Sequence, residues 1–194
     1  MNNLDRWLIG LKTLLWISVI GFGLTLYNAV YLVISSDHLR AEVRLKQGRL
    51  PLEKVDGIQL NSGTFVFESA NIIDRIVFRH TPENWDFPQS LFAFLSCALL
   101  LYVSRSVSSQ NPFNLRTANA IRLMGLVFIG YGLINVVAAY YMRLRVGQLT
   151  KVMDLRYISF PSDLTYLKSG VFILIFSLIY RMGVVYQEEA RLTI

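Results

Sequence analysis

Charge is scarce in this sequence and unevenly spread. Asp, Glu, Lys and Arg make up 16% of 194 residues, against about a quarter in a soluble domain of this length. Long intervals carry none. That pattern argues against an ordinary water-soluble globule and points to segments that live in lipid. Cysteine is almost absent. Cys97 stands alone, so no intramolecular disulfide can form, and inside an apolar run it reads as a small packing residue. Histidine is limited to His38 and His80, with no cysteine or carboxylate at metal-ligand spacing. No phosphate-binding glycine loop, H-E-x-x-H or G-x-S-x-G occurs. The expectation is therefore no catalytic residue, no metal and no cofactor, and a chain that is not an enzyme.

What the sequence does have is apolar residues, 54% of the total, with a mean hydropathy of +0.44. Four intervals carry the signal. Residues 14–34 are uncharged and cover roughly 30 Å as a helix, the thickness of a bilayer core. Residues 87–104 form a second interval, with Pro88 near its start where a helix tolerates proline. Residues 123–142 form a third. The fourth holds only residues 169–180 between Lys168 and Arg181, but both cations sit near its ends and can snorkel, which extends it to about 164–185. The first interval is too long for a signal-peptide core of about 7–15 residues, so a retained helix is expected. Residues 4–13 form an interfacial lead-in with Trp7 at headgroup depth. The fold class expected is an all-α integral membrane protein: one membrane domain, 1–194, of four transmembrane helices, with a small β-containing extramembrane cap at 35–86 between helices 1 and 2.

Within that insertion, Ile58 to Leu60 and Thr64 to Glu68 flank Asn61-Ser62-Gly63, a hairpin pattern. Arg75 to Arg79 reads as a further strand. Such a short segment is marginal alone and is expected to lean on the helices or on a neighbouring subunit. In the second connection, Asn111-Pro112-Phe113 reads as a helix start, with Asn as cap and Pro at the first helical position. That helix is expected to run through Arg116 and Arg122 into the third span. In the third connection, Leu144, Val146, Leu149, Val152 and Met153 are loosely helical in spacing and suit a segment lying on the membrane surface.

Basic residues do not settle orientation. The tails and middle connection hold seven, the first connection seven and the third five. Raw counting places the first and third connections in the cytoplasm, but long loops partly escape the rule. The net charge of +6 suits anionic lipid headgroups. Its scatter beside the spans argues against direct nucleic-acid binding. Inside the spans the polar candidates are Asn28 and Asn135, with Thr25, Ser96 and Ser177. They read as interhelical hydrogen-bonding groups or, more sharply, as a polar path. Gly21, Gly23, Gly125, Gly130 and Gly132 mark faces for close backbone approach, without a strict G-x-x-x-G.

Asn111-Pro112-Phe113, followed by Arg122 and Gly125, and a last span closing Tyr180-Arg-Met-Gly183, Gln187-Glu188-Glu189 and Leu192-Thr193-Ile194, resemble the bacterial four-span membrane proteins of domain of unknown function family 2975. The resemblance covers residues 105–194. The chain departs from the family in having Asn114-Leu115-Arg116-Thr117 after Pro-Phe, where acids and an asparagine usually stand. The resemblance implies the bacterial cytoplasmic (inner) membrane, with termini and the Asn111 turn in the cytoplasm. It also implies a sensory or regulatory role, which is analogy. Asn111, Pro112, Phe113, Arg116, Arg122, Glu188, Glu189, Leu192, Thr193 and Ile194 are then candidates for docking a soluble cytoplasmic partner. Solvated helix ends and headgroup anchoring are the plainer readings of the same charges. The expectation is a non-catalytic protein that relays a membrane or envelope signal through self-assembly or such a partner. The alternative is an oligomeric channel or transporter with its path near Asn28 and Asn135.

Overall fold

A computed structural model describes residues 3–36, 38–45, 55–59, 62–80, 85–106, 114–150, 155–157 and 164–192. In chain order the elements are α1 (Asn3–Ser35), β1 (His38–Leu45), β2 (Val55–Gln59), β3 (Ser62–Glu68), α2 (Ile72–Val77), α3 (Phe87–Ser106), α4 (Leu115–Thr150), β4 (Leu155–Tyr157) and α5 (Thr165–Leu192). Four helices, α1, α3, α4 and α5, are long and apolar enough to cross a membrane. α1, α3 and α4 contain residues 14–34, 87–104 and 123–142, α5 begins at Thr165, and the chain is a multi-pass membrane protein. The helices outrun the hydrocarbon. α4 has 36 residues, about 54 Å at ~1.5 Å per residue, against a core of roughly 30 Å.

The extramembrane part is a four-stranded antiparallel sheet of order β2-β3-β1-β4. Its fourth strand comes from the third connection, not from 35–86. Val43 pairs with Tyr157 and Leu45 with Leu155, so the first and third connections lie on one side of the membrane. That requires an even number of crossings between them, and α3 and α4 supply two.

Several local expectations are corrected. Arg75 to Arg79 is not a strand. Ile72–Val77 is a short helix, because the Asn71 side chain accepts from the Ile73 N–H at 3.0 Å and caps it. Only Arg79 keeps a strand-like contact, a bridge to Arg40. The hairpin turn is shifted as well. Gln59 pairs with Ser62, so Ser62 and Gly63 belong to β3, while residues 60–61 lie outside the described residues. The surface helix expected at 144–153 is, through Thr150, the end of α4, and Val152 and Met153 lie outside the described residues. The cap of α4 is Asn114, whose Oδ1 accepts from the Thr117 N–H at 2.7 Å. Asn111, Pro112 and Phe113 lie outside the described residues.

By contacts the chain divides into two units: Met1–Leu24 with Leu91–Gly132 and Leu164–Ile194, and Thr25–Ser90 with Leu133–Asp163. In the first, α4 and α5 meet at glycines. A Cβ on Gly170 would stand 2.6 Å from Ile129 Cγ1 and 2.9 Å from the Gly125 carbonyl oxygen, so only glycine permits this backbone approach. Ser177 Oγ donates to the Ala118 carbonyl at 3.0 Å. Phe92 stacks on Tyr131 at 4.2 Å, and Phe128 and Tyr166 meet Phe92 edge-on. In the second unit the cap core is Leu39 and Phe78, both fully buried, with Phe67 packed edge-on to Phe78 at 4.9 Å.

Candidate functional site

The densest polar arrangement lies in the second unit, between the sheet and α4. It is built on a short stretch of chain. After β3, Ser69 Oγ accepts from the Asn71 N–H at 3.1 Å and donates to Asp74 Oδ2 at 2.6 Å. Asn71 caps α2, which places Asp74 in the first helical turn, where the helix dipole favours a carboxylate. From α4, Tyr141 donates its hydroxyl to Asp74 Oδ1 at 2.6 Å, and Arg145 Nε donates to Oδ2 at 3.1 Å. Tyr141 and Arg145 are four residues apart, one turn on the same helix face. Asp74 is fully buried, while the Arg145 side chain is one-third exposed.

The neighbouring side chains extend the tie. Arg75 Nε donates to the Ser69 carbonyl and its Nη1 to the Ile34 carbonyl at the end of α1, each at 3.2 Å. His80 Nε2, in the tautomer that carries its proton there, donates to the Arg75 carbonyl at 2.9 Å. The Arg40 N–H donates to the Arg79 carbonyl at 2.7 Å. Residues 69–80 therefore fasten the sheet, α1 and α4 together. Burial pushes the His80 pKa below its ordinary 6.5. Asp86 caps α3 by accepting from the Gln89 N–H at 2.8 Å, and its burial raises its pKa.

Chemically this arrangement is a clamp on one buried carboxylate. A carboxylate has room for several donors, and Asp74 receives three from the protein while exposing nothing to solvent. Losing one donor would leave a buried charge undercompensated.

The residues singled out in the sequence lie elsewhere. Arg116, Arg122, Glu188 and Glu189 are exposed on α4 and α5, and Leu192 is 89% exposed. Thr193 and Ile194 lie outside the described residues, as do Asn111, Pro112 and Phe113. Asn28 is exposed on α1, whereas Asn135 is buried and its Oδ1 has no hydrogen-bond partner among the described residues. Among the described residues no hydrogen bond joins the two. Asp74, Tyr141 and Arg145 were not singled out in the sequence. A weak local signal is the four-residue spacing of Tyr141 and Arg145 across the end of the apolar run 123–142. No family model, curated protein or solved structure matches the chain.

Proposed function

We propose that the chain is a non-catalytic sensor or relay of the bacterial inner membrane, with its cap outside the cytoplasm and both termini inside. The observation that carries this reading is the Asp74 clamp. It joins an extramembrane sheet to α4, a single helix continuous from Leu115 to Thr150. A load on the cap therefore bears on a helix whose length suffices to reach the other membrane face. The output would be self-assembly, or a soluble partner docked on Arg116, Arg122, Glu188, Glu189 and the residues around them. Kinship with family 2975 belongs to the same proposal. The folded cap supports the orientation, because the charge rule applies to short loops and weakens for folded translocated segments.

Purification in mild detergent tests the reading. The full chain should carry either further copies of itself or a soluble protein that is lost on deleting residues 187–194. Recovery of single copies with no companion would overturn it.

A polar path is the second reading. The buried, unpartnered Asn135 Oδ1 favours it, and the exposed Asn28 would need a second copy to line it. Ion flux in liposomes, abolished by Asn135→Leu, would support a path; a tight bilayer would exclude it.

A further inference from the structure

Where α4 leaves the membrane on the side of the termini, it forms a cleft with α5. The two helices run antiparallel, since Gly132 meets Leu167, Gly125 meets Gly170 and Ala118 meets Ser177. Beyond the glycine contact a cleft of about 280 Å3 opens, lined by Asn119, Arg122, Leu174, Ser177, Leu178 and Arg181, with Ala118. That is just below the roughly 300–1,000 Å3 of a site for a whole small molecule, so it suits a headgroup.

Three features define what fits. The first is charge. Both Arg122 and Arg181 line the cleft, and neither makes an ion pair among the described residues. Among the described residues no acid lines the cleft; Glu188 lies about two turns beyond Arg181 along α5. The second is depth. Arg122 directly precedes the uncharged run 123–142, and Arg181 directly follows 169–180. Both therefore stand at the edge of the hydrocarbon, where lipid phosphates lie. The third is donor geometry. Each guanidinium presents a planar fork matched to phosphate oxygens, and the Asn119 amide adds further donors. Ser177 Oγ is committed to the Ala118 carbonyl and closes the floor. Leu174 and Leu178 give an apolar wall on the membrane side.

We propose that this cleft is a binding site for one anionic phospholipid, with its phosphate held between Arg122 and Arg181 and hydrogen-bonded by Asn119. The lipid would bridge α4 and α5 at the membrane face where the relay proposed above has its output, but the site does not depend on that reading.

The test is lipid retention by the full-length protein in native mass spectrometry, with phosphatidylglycerol and phosphatidylcholine offered in equal amounts. One phosphatidylglycerol should be retained selectively. At about 1 kcal/mol per basic residue near the surface, Arg122→Gln or Arg181→Gln should each weaken retention about fivefold, and the pair about thirtyfold. The pair Arg122→Lys with Arg181→Lys keeps the charge and should fall between wild type and the glutamine pair. It also serves if the glutamine pair does not fold. The pair Arg143→Gln with Lys168→Gln removes two charges at the opposite ends of the same helices and should leave retention unchanged. Equal loss in that pair would reduce the effect to bulk attraction and overturn the site. So would equal retention of both lipids, undiminished retention in both the glutamine and lysine pairs, or displacement of the lipid by millimolar inorganic phosphate.

Discussion

The two units of this chain hold together by different means. In the unit containing residues 91–132 and 164–194, α4 and α5 meet at Gly125, Gly170 and Gly132, supported by an aromatic cluster around Phe92. In the unit containing residues 25–90 and 133–163, a β-ladder surrounds Leu39 and Phe78, and a buried carboxylate ties the sheet to α4. The solvents explain the contrast. Lipid offers no hydrophobic drive between helices, so close approach of small residues supplies the contact. Water drives Leu39 and Phe78 inward, and the clamp then adds a directional link that apolar packing cannot give. One kind of contact sets distance; the other sets connection.

The largest expected effect removes the connection. Arg145→Leu strands the Asp74 charge and should cost about 2–4 kcal/mol, scaled down from a fully buried pair because Arg145 is one-third exposed. Limited proteolysis of the solubilised protein should show faster cleavage within residues 35–86. Adding Asp74→Asn should restore part of the loss, whereas an additive loss would show that the pair is not a unit.

Changing the distance comes next. Gly170→Ala forces a Cβ against Ile129 and the Gly125 carbonyl and should cost about 1–3 kcal/mol. Gly130→Ala, with nothing within 4 Å of the new Cβ, should be neutral or slightly stabilising. Thermal denaturation in detergent separates the two, and equal midpoints would refute the glycine contact.

The smallest effect is a pH dependence confined to the cap. Burial lowers the His80 pKa, so the unfolded chain takes up this proton first. The stability His80 contributes is present above its ordinary value of 6.5 and is lost as pH falls through the folded value. Asp86 has the opposite sign: its raised pKa makes the folded cap gain in acid. Subtracting the profile of His80→Gln isolates the histidine. The difference should grow as pH falls from about 7 to about 5, and a flat difference would contradict it.

Three membrane helices were legible because absence of charge over 18 to 21 residues is a local signal, and the fourth, uncharged only over 169–180, because Lys168 and Arg181 can snorkel at its ends. The hairpin was legible to within a slipped turn. α2 was misread because Ile-Val-Phe at 76–78 favours strands, although Asn71 with Asp74 three residues later is a helix-start pattern. Pro112 drew attention to Asn111, while Asn114 makes the capping bond. β4 has three residues and no periodicity of its own; it exists through pairing with β1. The clamp was invisible for the same reason. Asp74 is 67 residues from Tyr141 and 71 from Arg145, and nothing local marks that meeting.

The central claim is that the clamp couples the cap to the whole of α4. Hydrogen exchange at residues 115–122 in wild type and Tyr141→Phe tests it most directly. The substitution removes one charge-assisted hydrogen bond, worth about 1.5–3 kcal/mol, and leaves Arg145 in place. The account predicts faster exchange at 115–122 as well as in the cap. Faster exchange in the cap with 115–122 unchanged would reduce the clamp to a local staple and contradict the relay.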